Sequence, residues 1–141
     1  MKLFLDANIL FTAAYTPQGA SGFLFSIAKT GAITLCTSLY ALDEAKRNLA
    51  LKAAEKLQTL EKLLPHMTIV SEPQPDKVAW AALLPLPGKD APIMAAAVSC
   101  KADILVTGDR RDFGSLLGTT AEGVLVLEPA ETVRHLAKLL A

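Results

Sequence analysis

Short β-favouring runs alternate with longer helix-favouring segments along the chain, and this alternation constrains the fold more than any other feature. Most of the runs are continuously apolar, which is typical of strands covered on both faces. The predicted strands are residues 3–5, 32–37, 67–70, 104–107 and 124–127. The predicted helices are residues 20–29, 39–64, 77–84, 91–100, 113–117 and 132–140, the second being long enough for two helices. The pattern predicts an α/β fold with a central, mostly parallel sheet of four to five strands.

Size and charge limit the classes of protein that remain. A chain of 141 residues with 52% hydrophobic content can bury a sizeable core, so we expect a single domain over residues 1–141. The 14 basic and 14 acidic residues give a formal net charge of zero, which leaves no global positive field to attract nucleic acid or an anionic membrane. Any recognition of phosphate must therefore be local.

The location of the protein follows from its apolar segments and its cysteines. Residues 7–28 carry no formal charge, but Pro17 and Gly19 interrupt them, so no membrane helix is predicted there. Asp6 interrupts the opening apolar run before the core of a signal peptide could form. Cys36 and Cys100 show neither zinc spacing nor a disulfide framework. We therefore expect a cytoplasmic protein with buried free thiols.

Acidic residues recur where predicted strands end or helices begin. Asp6 directly follows the first strand, and Asp109 follows the fourth after a single glycine, with Asp112 three residues later. Asp90 precedes the apolar helix that begins at residue 91, and Glu44 lies near the start of the second helical segment. In an open parallel sheet the ligand site lies outside the carboxyl ends of the strands. These acids are therefore the candidate functional residues.

Most of these acids also allow an ordinary structural role. Asp90 could be an N-cap whose carboxylate accepts backbone N–H bonds. Asp109 and Asp112 could be turn residues, and Glu44 with its neighbour Asp43 could form a solvated helix face. The sequence alone leaves these alternatives open.

Asp6 fits a purely structural role less well. A carboxylate that interrupts an apolar run should be partly buried, and an unpaired buried charge costs several kcal/mol. No Lys or Arg occurs between Asp6 and Lys29, so a local ion pair is not available. A bound metal ion is therefore a serious candidate for the positive partner.

Four segments that carry these acids, LFLDANIL, TSLYALDEAKRNL, KDAPIMAAAV and ILVTGDRRDF, together resemble the four-acid signature of PIN-domain nucleases. This family includes the ribonuclease toxins of bacterial and archaeal VapBC toxin–antitoxin pairs. The resemblance runs over nearly the whole chain and implies a three-layer α/β/α PIN-like domain. It also implies that the catalytic and metal-binding acids are Asp6, Glu44, Asp90 and Asp109. Glu44 is preferred to Asp43 because the family usually places its acid directly before a small or apolar residue.

Supporting roles follow from the same resemblance. Asn8 and Thr107 fall where the family often has side chains that orient the carboxylates, and Asp112 is a further supporting acid. Because acids repel phosphate, we expect substrate to be held by the adjacent cations Lys89, Arg110 and Arg111.

The expected chemistry is hydrolysis by a metal-activated water. Mg²⁺ or Mn²⁺ prefers oxygen ligands, and converging carboxylates could hold one or two such ions. Asp6, Asp90 and Asp109 would hold the metal while Glu44 orients the water, so no serine, cysteine or histidine nucleophile is required. By resemblance the substrate is single-stranded RNA, and the partners are an antitoxin protein and a second copy of the chain. No membrane partner is expected.

Two other functions compete with this hypothesis. The chain could be a PIN-like RNA-binding module that does not catalyse, although all four acids are present. It could also be a Mg²⁺-dependent phosphatase of haloacid-dehalogenase type, but that class normally has a second acid two residues after the first, where this chain has Asn8. A receiver domain is disfavoured because it needs an acidic pair near the first strand and a lysine after a late strand, and neither is found.

Overall fold

The computed structural model describes residues 1–141 and shows one six-stranded sheet in the order β3-β2-β1-β4-β6-β5. Neighbouring strands are parallel except β5 and β6. The strands are β1 (Lys2–Leu5), β2 (Thr34–Ser38), β3 (Met67–Val70), β4 (Ile104–Val106), β5 (Thr120–Ala121) and β6 (Val124–Leu127). The predicted α/β fold with a mostly parallel sheet is confirmed, whereas the predicted number of four to five strands is wrong.

The additional strand is β5, an edge strand of two residues. It pairs with β6 in antiparallel fashion through a turn in which Glu122 (φ 49°) and Gly123 (φ 83°) are both left-handed. Two consecutive left-handed residues are typical of the tightest hairpin turns. A strand this short leaves no hydrophobic periodicity in the sequence, which is why the sequence pattern did not reveal it.

Eight α-helices surround the sheet. They are α1 (Ala7–Tyr15), α2 (Ala20–Lys29), α3 (Leu39–Lys52), α4 (Leu57–Leu63), α5 (Pro75–Ala81), α6 (Ala91–Ser99), α7 (Arg110–Phe113) and α8 (Pro129–Leu140). The predicted helical segment 39–64 is divided by a 3₁₀ turn, Ala54–Lys56. None of these helices combines the length and apolar character needed to cross a bilayer.

The direction of the crossovers distributes the helices between two layers. From β1 the chain moves through β2 to β3 on one side, and it then crosses to β4 and β6 on the other. Because parallel crossovers are right-handed, helices α1–α4 lie on one face of the sheet and α5–α7 on the other. Packing agrees, since α1 contacts α2, α3 and α4 while α5 packs on α6, and α8 packs against α2. This is the three-layer α/β/α arrangement that the resemblance implied.

The two central strands carry the core and position the candidate site. The side chains of Leu3–Leu5 in β1 and of Ile104–Val106 in β4 are completely or almost completely buried. The strand order reverses between these two neighbours, which makes their carboxyl ends the topological switch point of the sheet. Ligand sites in open parallel sheets form at such a point, and the first acid of the sequence, Asp6, directly follows β1 there.

Candidate metal centre

Asp6 lies at the end of β1 and is 3% exposed. Its Oδ1 accepts a 2.7 Å hydrogen bond from the backbone N–H of Ala7 and thereby caps α1. Its Oδ2 accepts hydrogen bonds from the Thr107 hydroxyl at 2.8 Å and from the Asn8 amide at 3.1 Å. The carboxylate is therefore held in one orientation by donors from both sides of the switch point.

Asn8 and Thr107 connect the end of β1 to the loop that follows β4. The side-chain oxygen of Asn8 accepts a 2.7 Å hydrogen bond from the Gly108 backbone, and the Thr107 hydroxyl accepts one of 3.2 Å from the Asp109 N–H. A Cβ at Gly108 would lie 3.3 Å from the Asn8 oxygen, so the loop approaches Asn8 closely. These contacts give Asn8 and Thr107 the geometry of orienting residues.

Asp109 follows that loop and begins α7. Its Oδ1 accepts a 2.9 Å hydrogen bond from the Asp112 N–H, so the turn role considered from the sequence is present. A single oxygen satisfies this role, which leaves Oδ2 for another ligand. The Asp109 N–H and the Asp6 carboxylate share the Thr107 hydroxyl as a hydrogen-bond partner, and the negative charge of Asp109 raises the pKa of Asp6.

Asp90 does not cap the helix that follows it. It ends a 3₁₀ turn, Gly88–Asp90, with φ −96° and ψ −8°, and its side chain makes no cap hydrogen bond to α6. The residue is 9% exposed, and its buried Oδ2 has no hydrogen-bond partner at all. A buried carboxylate oxygen without a partner is costly, so this atom favours a cation as its missing partner.

Glu44 projects from the second turn of α3 and is partly buried. Its charge raises the pKa of Asp6 and that of Tyr40, one turn earlier. Asp43 beside it is exposed. Of this adjacent pair, Glu44 is therefore the carboxylate that faces the other acids.

The cluster carries negative charge that the nearby Lys89 ammonium offsets only in part. The pKa of Asp6 is raised to about 6, chiefly by burial and also by the charges of Glu44 and Asp109, against the hydrogen bonds that lower it. The pKa of Asp90 is likewise raised to about 7, chiefly by burial and then by its interaction with Asp112 and the charge of Asp6. Carboxyl groups shifted in this direction are stabilised in their charged form when a cation binds.

The donor set fits a hard divalent cation, although no group of three or more acidic, His or Cys side chains is drawn together as a preformed ligand shell. The candidate ligands are carboxylate oxygens, which Mg²⁺ and Mn²⁺ prefer. The unpartnered Asp90 Oδ2 and the raised pKa values of Asp6 and Asp90 are the observations that support this fit.

The three predicted cations have different environments. Lys89 forms an ion pair with Asp112, with 3.1 Å between Nζ and Oδ2, and this contact lowers the pKa of Asp112. Arg110 pairs with Glu128 at the start of α8. Arg111 is exposed and has no ion-pair partner. Of the three cations, Lys89 and Arg110 are therefore held in ion pairs, and Arg111 is not.

Tyr40 is a neighbour of the site that the sequence did not indicate. Its hydroxyl donates a 2.7 Å hydrogen bond to the backbone carbonyl of Lys89, which ties α3 to the turn that carries Asp90. Its pKa is raised by partial burial and then by the charges of Glu44 and Asp90. Tyr40 lies one helical turn before Glu44, and this spacing was the sequence signal that could have placed it near the site.

The acids do not lie in an enclosed pocket. None of the four surface cavities of the molecule is lined by Asp6, Glu44, Asp90 or Asp109. Sites for small molecules are usually concave and bury most of the ligand surface. The four acids therefore lack the enclosing walls that are typical of such sites.

Comparisons with known proteins give a family and a fold. A family model described as the PIN domain matches residues 2–111. A comparison with curated protein sequences gives no match.

Solved structures with the same fold cover almost the whole chain. The structure of PAE2754 from Pyrobaculum aerophilum is 21% identical, with a TM-score of 0.68 over 98% of this chain and 99% of that one. VapBC2 from Rickettsia felis, bound to a DNA fragment from its promoter, is 19% identical, with a TM-score of 0.64 over 91% and 98%. FitAcB from Neisseria gonorrhoeae is 18% identical, with a TM-score of 0.60 over 91% and 98%.

Proposed function

The chain belongs to the PIN-domain family, and from this membership we propose that it is a metal-dependent endoribonuclease acting on single-stranded RNA. The observation that best supports the proposal is the buried Oδ2 of Asp90, which has no hydrogen-bond partner. The pKa values of Asp90 and Asp6 are both raised by burial and by neighbouring carboxylates. A site of this kind gains most from a divalent cation. One or two Mg²⁺ or Mn²⁺ ions fit the donor set.

In this proposal the residues of the chain hold, orient and neutralise the reacting groups. Asp6, Asp90 and Asp109 hold the cation, and the hydrogen bonds from Asn8 and Thr107 fix the Asp6 carboxylate in its ligand orientation. When bound, the cation lowers the pKa of a water molecule and neutralises charge on the phosphate.

Two further parts of the site complete the mechanism. Glu44 accepts a hydrogen bond from the attacking water and receives its proton as the phosphodiester bond breaks. Lys89 and Arg111 attract the RNA backbone, and Asp112 restrains the Lys89 ammonium through their ion pair.

An RNA cleavage assay tests the proposal. Purified protein with a 5′-labelled single-stranded RNA should produce fragments in Mg²⁺ or Mn²⁺ and none in EDTA. Asp109→Asn should lower the cleavage rate by at least about 100-fold, because loss of a ligand weakens both metal binding and charge stabilisation. Cleavage that continues in EDTA would contradict the metal mechanism.

Glu44 and Asp43 form a matched pair for the same assay. Both are acids of α3, but only Glu44 faces the other carboxylates. Glu44→Gln should therefore reduce cleavage by about 100-fold or more, whereas Asp43→Asn should cleave like the parent. Equal losses in the two variants would show that the assignment of Glu44 is wrong.

The same samples separate the two competing functions. A non-catalytic binding module would retain RNA in a gel-shift assay without cutting it. A phosphatase of haloacid-dehalogenase type would hydrolyse p-nitrophenyl phosphate and leave RNA intact.

We further propose that the chain is the toxin of a toxin–antitoxin pair in the cytoplasm. The support is the likeness of its fold to VapBC2 and FitAcB, two of the solved relatives. Expression of the chain should arrest growth, and co-expression of the neighbouring reading frame should restore it. Growth that is restored by the Asp109→Asn substitution in the toxin, but not by co-expression of the neighbouring reading frame, would argue against an antitoxin encoded there.

A further inference from the structure

Cys36 and Cys100 lie side by side, outside the acid site. Their sulfur atoms are 3.8 Å apart, although 64 residues separate them in the chain. Cys36 is in β2 and is 1% exposed, whereas Cys100 follows the last residue of α6 and is partly exposed. Both are free thiols, as the sequence predicted, but only Cys36 is buried, so the expectation of two buried thiols is wrong for Cys100.

The position of Cys100 allows an oxidant to reach the pair. Cys100 lines a surface cleft of ≈ 490 Å³ together with Ser99 and the segment after β3. It is also the residue at which α6 ends, and the next residue, Lys101, is left-handed with φ 59°. A side chain at a helix end can move toward its neighbour more easily than one inside the sheet.

The two sulfur atoms are electrostatically unequal. The pKa of Cys100 is lowered, first by the contact between its sulfur and that of Cys36 and then, against the opposing effect of burial, by the nearby Lys2. The Lys2 ammonium is fixed there by a 2.8 Å hydrogen bond to the Cys100 carbonyl. The pKa of Cys36 is raised by the same sulfur–sulfur contact and by burial. Cys100 is the more exposed thiol and lies beside the anchored Lys2 ammonium, so we expect it to be the nucleophile and the buried Cys36 to resolve its oxidation product.

We propose that Cys36 and Cys100 form a reversible intramolecular disulfide when the folded protein meets a peroxide. The 3.8 Å contact, the surface cleft beside Cys100 and the lysine anchored at its carbonyl carry this proposal. The sulfur atoms must approach to about 2.05 Å, a movement that rotation at the end of α6 can supply.

The reaction balances with hydrogen peroxide as the oxidant. The Cys100 thiolate attacks one peroxide oxygen, the O–O bond breaks, and the released hydroxide takes a proton to become water. The sulfur of Cys36 then attacks the resulting sulfenic sulfur, the S–O bond breaks, and the leaving hydroxide takes the Cys36 proton. Two thiols lose two electrons and two protons, and one peroxide becomes two water molecules.

This modification site is separate from the acids. Asp90 precedes the first residue of α6 and Cys100 follows its last, so the helix places them roughly 15 Å apart along its axis. The crosslink would tie β2 to the far end of the helix whose beginning carries Asp90. Its formation does not depend on whether the acids bind metal or cleave RNA.

Intact mass spectrometry of the reduced, EDTA-treated protein after a short peroxide exposure tests the proposal. The mass should fall by about 2 Da, because two hydrogen atoms leave. Both thiols should become unreactive to iodoacetamide, and a tryptic map should link the Cys36 peptide to the Cys100 peptide. Dithiothreitol should restore the original mass.

Single variants provide the matched controls. Cys36→Ser should show no loss of mass and should instead gain about 16 or 32 Da at Cys100. Cys100→Ser should leave Cys36 largely unoxidised because it is buried, and it remains informative if Cys36→Ser does not fold. A parent protein that keeps both thiols, gains only oxygen, or forms crosslinks only between two chains would overturn the proposal.

Discussion

Asp6 is subject to opposing effects that act on one carboxylate. Hydrogen bonds from Ala7 and Thr107 lower its pKa, while burial and the charges of Glu44 and Asp109 raise it. Burial is the largest of these effects, and the net pKa is about 6. The charge of Asp6 is therefore unfavourable in the metal-free fold.

Asp6→Asn should make the metal-free protein no less stable than the parent, because it removes a carboxylate that repels its neighbours. The same variant should lose most of the stabilisation that Mn²⁺ gives the parent, since binding to the native state raises its stability. Melting temperatures of both proteins in EDTA and in Mn²⁺ measure these effects. A loss on the order of 3 kcal/mol in EDTA, with the Mn²⁺ increment intact, would instead identify Asp6 as a structural acid.

Thr107 orients the Asp6 carboxylate through its hydroxyl group, and this role can be tested separately from that of Asp6. Thr107→Val keeps the shape of the side chain but removes the donor to Asp6, so the free energy of unfolding should fall by about 1–3 kcal/mol. Cleavage should also fall, because Asp6 loses its orientation. Thr107→Ser retains the hydroxyl and should keep most of the activity, so equal activity losses in the two variants would exclude the orienting role.

Asp90 shows which part of the candidate site the sequence could not decide. An aspartate directly before a Pro-containing apolar helix is compatible with an N-cap, so the sequence alone allows that role. An N-cap needs an extended backbone, whereas the preceding 3₁₀ turn gives Asp90 helical dihedral angles. Whether Asp90 caps the helix therefore depends on a local turn that residue types alone do not specify.

At the scale of elements, the beginning of α2 depends on the absence of one side chain. A Cβ built on Gly22 would lie 1.9 Å from the carbonyl oxygen of Pro17, which is backbone and cannot rotate away. The helix therefore packs directly on the turn that precedes it. Its buried residues Leu24 and Phe25 are positioned in the core by this close approach.

Gly22→Ala should lower the free energy of unfolding by at least about 2 kcal/mol, because the added methyl group forces the turn and the helix apart. Gly88→Ala is a matched control, since nothing lies within 4 Å of its Cβ position and its φ is not positive. Urea unfolding of both variants measures the difference. An unfolding midpoint for Gly22→Ala equal to that of Gly88→Ala would contradict the packing argument.

The elements that the sequence predicted are those with clear periodicity or length. Strands β1, β4 and β6 and helix α6 were expected near their observed positions, because their apolar runs are continuous. Helix α1 was not predicted, since its apolar residues are distributed around the axis and its one start signal, Asp6, was interpreted as a site residue. The two functions of Asp6, as cap and as candidate ligand, explain this omission.

At the scale of the molecule, we expect two copies of the chain to associate. The mean hydropathy is +0.37, and large apolar side chains such as Leu51 and Leu83 are more than four-fifths exposed. Dimers are also common among PIN-domain proteins. Light scattering at high protein concentration should give about twice the monomer mass of 15.0 kDa. A mass of 15.0 kDa under those conditions would show that the chain is monomeric.

The pairing of β1 with β4 has a consequence for the order of events during synthesis. Leu3 is the partner of Ile104, so the centre of the sheet closes across about a hundred residues. Contacts of such long range form late in folding, and ribosomes add roughly 5–20 residues per second. A nascent chain therefore exists for seconds with Asp6 in place but without Thr107 to orient it or Asp109 beside it. The acid site is therefore complete only after the segment that follows β4 has been synthesised, and the RNA cleavage proposed for it could not begin on the unfinished chain.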